Sequence, residues 1–80
     1  PPTYYITYNP GTLVLGALQR RLPEHDFEFQ AALDPELIGS HVVTAAYKGR
    51  EEGLEEALAG VKALEGIESV TESPEVKIQG

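Results

Sequence analysis

The sequence predicts an α+β fold in which one antiparallel sheet of four strands is covered on a single face by two helices. Hydrophobic runs of strand type and of helix type follow one another in the order β-α-β-β-α-β. The second helix has the clearest periodicity of all these runs. A chain of 80 residues suffices for one domain with one modest core, because folding buries roughly 60% of the surface of a chain this small.

The chain begins with a strand, a turn and a helix. Residues 4–8 are aromatic or β-branched, as strands favour, and residues 9–12 have the composition of a turn. Thr12 is expected to cap the helix, which is predicted over residues 13–22 and ended by Pro23. The leucines of this helix recur at i, i+3 and i+7 and form one apolar stripe of Leu15, Leu18 and Leu22.

The middle of the chain predicts a hairpin. Residues 27–33 alternate between apolar and polar side chains, and residues 42–47 are mostly β-branched or apolar. Between the two strands, Asp34 and the proline after it are expected to start a single helical turn, which Gly39 ends.

The second helix and the last strand complete the pattern. The helix is predicted over residues 51–64, and Gly66 is expected to stop it. The last strand is predicted over residues 67–78, with a break at Pro74 that is typical of a sheet edge. The helix carries an apolar stripe at i, i+3, i+4, i+7 and i+10, made of Leu54, Ala57, Leu58, Val61 and Leu64.

Residues 1–80 are therefore predicted to form one domain. Right-handed crossovers place both helices on one face of the sheet and give the strands the spatial order 4-1-3-2. This arrangement is the ferredoxin-like α/β plait. The other face of the sheet has no predicted cover.

The register decides which side chains meet the helices. We expect Phe27 to pair with Tyr47, which puts both aromatic rings on the helix side. Ala31 is then expected to pair with Val43. By alternation along the first three strands, the uncovered face carries the candidate partner-binding residues Tyr5, Thr7, Gln30, Val42 and Thr44.

Composition narrows the range of partners. The formal net charge is −7, from 13 acidic and 6 basic residues, and only Arg20 and Arg21 are adjacent bases. Such a surface repels phosphate groups, so neither nucleic acid nor a membrane is expected as a partner, whereas a basic protein is. There is no cysteine to form a disulfide or a thiolate metal site. The chain begins Pro1-Pro2 without methionine, which indicates a processed product or an excised domain.

Catalytic and metal-binding patterns are weak. Ser40 and His41 are adjacent, as are His25 and Asp26, so within a strand the two side chains of each pair point to opposite faces. His25 and His41 are expected at opposite ends of the hairpin, about 20 Å apart, which is too far for one metal ion. We therefore expect no enzyme, no cofactor and no metal.

The uncovered sheet face is the candidate contact surface. Tyr5 is the aromatic side chain expected there, and exposed aromatic residues on a sheet mark contact surfaces. The sequence thus predicts a small non-enzymatic interaction or regulatory module. Its predicted partner is another protein or a second copy of this chain.

Three families share the β-α-β-β-α-β order. Residues 5–10, Tyr-Ile-Thr-Tyr-Asn-Pro, are similar to the first strand of RNA-recognition domains, but the third strand has no Gly-aromatic signature and the negative charge disfavours RNA. The pattern also resembles regulatory domains of the ACT type, which would imply a small-molecule sensor. The ligand-binding glycines of those domains have no clear counterpart in this chain.

Subtilisin-type propeptides are the third family. Residues 64–72, Leu-Glu-Gly-Ile-Glu-Ser-Val-Thr-Glu, resemble the end of these propeptides, as does the extended Tyr-Ile start of the chain. The resemblance implies an intramolecular chaperone and inhibitor whose sheet face docks on the helices of a protease and whose tail, residues 75–80, enters the protease cleft as a strand. The third strand departs from the family, because residues 39–43 read Gly-Ser-His-Val-Val where propeptides have a Gly-Phe-Ala type of sequence.

Overall fold

The computed structural model of the protein describes residues 1–74 and confirms the predicted fold. The strands form one antiparallel sheet in the order β2-β3-β1-β4, which is 4-1-3-2 seen from the opposite edge. The predicted extension of the last strand to residue 78 falls partly outside the described residues. The elements are β1 (Thr3–Tyr8), α1 (Leu15–Arg21), β2 (Phe27–Ala32), α2 (Pro35–Ile38), β3 (Val42–Tyr47), α3 (Leu54–Lys62) and β4 (Ile67–Glu72).

One hydrophobic core lies between the sheet and the two main helices, α1 and α3. The aromatic pair predicted on the helix side is there, since Phe27 and Tyr47 are both buried and their ring centroids lie 5.4 Å apart. Both apolar helical stripes also face this core, with Leu18, Leu22 and Val61 fully buried, except that Leu64 lies beyond the end of α3 and outside the core cluster. β1 therefore buries alternate side chains under the helices and leaves Thr3, Tyr5 and Thr7 on the opposite face.

The first helix begins later than predicted because a separate turn precedes it. The Oδ1 atom of Asn9 accepts a hydrogen bond from Gly11 N at 2.9 Å. The carbonyl oxygen of Asn9 accepts two more, from Thr12 N and Leu13 N. These bonds complete a turn on Asn9, and α1 starts only after Val14, which offers no side-chain cap. The capping role predicted for Thr12 is therefore wrong.

Other predicted boundaries lie close to the observed ones, although the second helix, predicted over residues 51–64, is α-helical only over Leu54–Lys62. The α-helical part of the first helix ends at Arg21, and Leu22–His25 continues as a 3₁₀ turn with Pro23 near its start. A 3₁₀ turn over Glu51–Gly53 leads into α3.

The part of the chain that the structure describes has no helix of the length and apolarity needed to cross a membrane.

The predicted register is half right. Phe27 pairs with Tyr47, as expected, but the pairing shifts by one residue between Phe29 and Ala31. Gln30 is the extra residue of this β-bulge, so Ala31 lies opposite Thr44 and its predicted pairing with Val43 is wrong. A bulge adds one residue to one strand only, and a run of small residues such as Ala31-Ala32 carries no alternation that would reveal it.

Candidate functional site

The open face of the sheet, on the side away from the helices, is built in rows across the strands. Tyr5 at the centre of β1 lies between Thr44 of β3 and Thr71 of β4. Thr7 lies in the next row, between Val42 and Ser69. Because paired positions on neighbouring strands share a face, these side chains form one continuous surface.

Hydroxyl groups dominate this surface. The paired open-face positions of β1, β3 and β4 carry no Asp, Glu, Lys or Arg, although the chain as a whole has a formal net charge of −7. The acidic residue Glu28 enters the face only at β2, the outer strand, opposite Ala46. The three-strand part of the face consists of Thr3, Tyr5, Thr7, Val42, Thr44, Ala46, Ser69 and Thr71.

The predicted contact residues differ in how much surface they offer. Tyr5 is 39% exposed and is the large apolar side chain of this face that solvent reaches most. Thr7 and Thr44 are half-buried beside it, whereas Gln30 is exposed at the bulge of β2. Val42 is only 8% exposed, so it forms part of the floor of the face and offers little area to a partner.

Alternation places Val42 on the open face correctly but does not reveal that it is buried. The side chain lies on a central strand between Thr7 of β1 and the chain that follows β2, where Leu33 N donates a hydrogen bond to Val42 O at 2.8 Å. Ala46, at the other end of β3, is similarly buried, although the sequence pattern does not indicate it. Burial of this kind depends on the side chains of neighbouring strands, which a single strand's pattern does not contain.

A cleft of about 520 Å³ lies at the end of the sheet where β2 begins and β3 ends. His25 and Asp26 both line it, which corrects the expectation that their side chains diverge as in a strand. The reason is local: His25 ends a 3₁₀ turn, and Asp26 has a left-handed φ of 61°. The cleft is lined by Glu24, His25, Asp26, Tyr47, Arg50, Glu52, Gly53, Glu56 and Ala57.

The chemistry of the cleft is that of an acidic surface. The imidazole of His25 packs on α3 at Gly60, where a Cβ atom would lie 2.5 Å from its Nδ1 atom, and its Nε2 atom is buried without a hydrogen-bond partner. The Tyr47 hydroxyl donates a hydrogen bond to Arg50 O at 2.6 Å, so its proton is not free to be donated to a ligand in the cleft. Within residues 1–74, no three His, Asp or Glu side chains are grouped so that they could hold a metal ion.

Alkaline pH is expected to destabilise the fold through its buried tyrosines. Burial first, and then the carboxylates of Asp26 and Glu52, raise the pKa of Tyr47 above its ordinary value of 10.0. Burial and Glu72 raise the pKa of Tyr4 in the same direction. The unfolded chain loses these protons at the ordinary pKa, so above about pH 10 it binds fewer protons than the folded protein and stability falls as pH rises.

Urea unfolding between neutral pH and about pH 11 measures this loss. Tyr47→Phe should be less stable at neutral pH, because it lacks the hydrogen bond to Arg50 O, but should lose less stability per pH unit above about pH 10. Tyr5→Phe is the control, since Tyr5 is partly exposed and its hydroxyl donates no hydrogen bond to any of residues 1–74. A Tyr47→Phe variant with the same alkaline slope as the wild type would contradict this assignment.

Compared with known protein families, curated proteins and solved structures, the chain has no match. The similarity of residues 64–72 to subtilisin-type propeptides therefore stays a prediction, as does the similarity to ACT-type domains.

Proposed function

We propose that this domain is a non-enzymatic protein-interaction or regulatory module that binds its partner through the open face of the sheet. The observation that carries the proposal is Tyr5, an aromatic side chain in the middle of a surface whose paired positions on β1, β3 and β4 carry no charged residue. Elsewhere the chain is acidic, with 13 Asp and Glu residues among 80. A surface of this kind loses little on desolvation, because no charge has to leave water.

The centre of the face has the features of an interface anchor. Tyrosine is enriched among the residues that contribute most to binding, since its ring packs and its hydroxyl still finds a hydrogen-bond partner. Tyr5 lies in a row with Thr44 and Thr71, whose hydroxyl groups supply donors and acceptors around the ring. Ring contact would thus supply affinity, and the hydroxyl groups would supply orientation.

The size of the face sets the strength of the proposed contact. Three strands of about six residues offer on the order of 300 Å² of flat surface. A stable interface buries about 800 Å² on each partner. The face alone therefore supports a weak or transient contact, and a tight one would have to extend over β2 or over the loops at its edges.

Tyr5→Glu is expected to abolish partner binding or self-association through this face. The new carboxylate would have to be buried without a counter-ion, which costs several kcal/mol in an interface centre. Gln19→Glu is the matched control, because it adds the same charge at an exposed position of α1, on the helix side. Light scattering over a concentration series, before and after each change, measures self-association.

Binding to another protein needs its own measurement. A subtilisin-type protease is the defined probe, with inhibition as the signal. The proposal is wrong if the protein is monomeric throughout and Tyr5→Glu changes no binding. A melting-temperature shift on adding amino acids would instead favour a sensor of the ACT type.

A protease propeptide is the second candidate, and the course of β4 favours it. β4 is an edge strand, and Ser73 N still donates to Thr3 O at 2.8 Å before the chain reaches Pro74. The segment implied to enter a protease cleft, residues 75–80, follows at once and lies outside the described residues. Inhibition of a subtilisin-type protease that is lost on deleting residues 77–80 would support this candidate, and no inhibition at micromolar concentration would remove it.

A further inference from the structure

The turn between β2 and β3 holds two neighbouring aliphatic side chains out in solvent. Leu37 is 84% exposed and Ile38 is 53% exposed, and both belong to the single-turn helix α2. Among the large hydrophobic residues of the described chain, Leu37 is the most exposed. We call this pair the Leu37–Ile38 knob. It lies at one end of the sheet and is separate from the open face.

The backbone under the knob is held by a closed set of hydrogen bonds. The Oδ1 atom of Asp34 accepts from Glu36 N at 2.9 Å, and its carbonyl oxygen accepts from both residues of the knob at 3.1 and 3.0 Å. Gly39 closes the turn with a φ of 84° and donates to Pro35 O at 2.8 Å. The backbone that carries the knob is therefore held in place before any partner binds, and binding would cost the conformational entropy of the two side chains only.

The charged Asp, Glu, Lys and Arg side chains of the hairpin that carries the knob all have one sign, which is negative. No lysine or arginine occurs between Arg21 and Lys48, so the whole β2–β3 hairpin lacks a positively charged Lys or Arg side chain. The hairpin does carry carboxylates. Asp34 and Glu36 lie on the turn just before the knob, and Glu28 lies on β2. A second copy of this chain, with its net charge of −7, and an anionic membrane are both repelled by this arrangement.

We propose that the Leu37–Ile38 knob inserts into an apolar pocket on a protein partner whose rim carries Lys or Arg side chains. The pocket would bury the two aliphatic side chains, and its basic rim would pair with the carboxylates of Asp34 and Glu36. Apolar anchors surrounded by charged contacts are the arrangement that gives an interface both affinity and orientation. This contact goes beyond the open face and does not require it.

The test has two steps and uses the full chain. A photo-reactive leucine analogue in place of Leu37 first cross-links the protein in an extract of its source cells, and mass spectrometry identifies the product. The captured protein is then purified, and its dissociation constant is measured for the wild type and for Leu37→Ser and Ile38→Ser. Because both side chains are exposed, neither serine should disturb the fold, which circular dichroism checks.

Leu37→Ser is expected to weaken binding about 10- to 100-fold, and Ile38→Ser about 10-fold. Val14→Ser is the matched control, because Val14 is an exposed aliphatic residue outside the hairpin, and its change should alter binding less than about 3-fold. Binding should also weaken as salt is added, and Glu36→Gln should reduce that salt dependence.

Several outcomes overturn the proposal. It is wrong if no protein is cross-linked above background, or if the captured protein binds Leu37→Ser as well as it binds the wild type. Cross-linking to a second copy of the chain would show that the knob mediates self-association and does not bind a basic partner. Cross-linking to lipid would show that it contacts a membrane instead. Binding that is unaffected by salt would contradict the part of the proposal that places Lys or Arg side chains on the rim of the partner's pocket.

Discussion

Phe27→Ala is expected to lower the free energy of unfolding by about 3–5 kcal/mol, the range for removing a buried aromatic ring. The Phe27 side chain is 2% exposed and lies between two other rings. Its centroid is 5.7 Å from that of Tyr4 in an edge-to-face arrangement and 5.4 Å from that of Tyr47. Alanine would remove both ring contacts and leave a cavity across β1, β2 and β3 that helices on one face cannot fill without moving.

The size of this loss matters because the domain is small. A chain of this length has a total stability of about 4–12 kcal/mol, so losing about 3–5 kcal/mol brings the variant near the midpoint of unfolding at the lower end of that range. Urea or guanidinium unfolding measures the change. Phe29→Ala on the same strand is the control, since Phe29 is only partly buried and should cost less. An equal loss in the two variants would contradict the central position of Phe27 in the core.

The packing of the Tyr4, Phe27 and Tyr47 rings also shows which parts of the fold the sequence determines. Phe27 and Tyr47 are separated by a hairpin, and their pairing follows from the requirement that large apolar side chains share the buried face. The same requirement places the apolar stripes of both helices against the sheet, and right-handed crossovers then leave one strand order. Strong, repeated patterns that all act on one core are therefore sufficient to predict the topology.

Features that depend on a single residue were not predictable in the same way. The bulge at Gln30 and the turn built on Asn9 each shift the chain by a residue or two without altering the average pattern. Thr12 is a residue type that favours helix caps, but the Asn9 carbonyl oxygen holds the N–H groups of Thr12 and Leu13 in a separate turn, and α1 begins only after Val14. Local hydrogen bonds of this kind compete with the helix, and composition alone does not show which of them wins.

The open face and the Leu37–Ile38 knob also differ in whether a repeated sequence pattern predicts them. Alternation along β1 and β3 predicts that Tyr5 and Thr44 share the open face, because a strand has only two faces. It does not predict that Leu37 and Ile38 remain outside the core, since one helical turn has no periodicity long enough to assign a buried side. Their exposure follows from the closed turn around Asp34 and Gly39, which fixes them at the end of the hairpin.

Gly66→Ala is expected to destabilise the protein by about 2–5 kcal/mol, from two separate causes. Gly66 has a φ of 98°, where a residue with a Cβ atom is disfavoured by about 1–2 kcal/mol. An added Cβ would also lie 2.6 Å from the Cβ atom of Leu13 and 3.2 Å from its backbone nitrogen. Such overpacking costs about 1–3 kcal/mol more, and backbone movement is restricted because Gly66 O accepts a hydrogen bond from Asn9 N at 2.7 Å.

Gly39→Ala separates the two causes, because Gly39 has a similar φ of 84° but has no atom within 4 Å of the position of an added Cβ. It should therefore lose only the backbone contribution of about 1–2 kcal/mol. Chemical denaturation of both variants measures the difference, which is expected to be about 1–3 kcal/mol. If Gly66→Ala is no less stable than Gly39→Ala, Leu13 yields without cost and the packing of the β1–α1 loop on the turn before β4 is looser than its distances indicate. If the full difference is found, that contact fixes the start of β4 beside β1, which is the pairing that positions Thr71 next to Tyr5 on the open face.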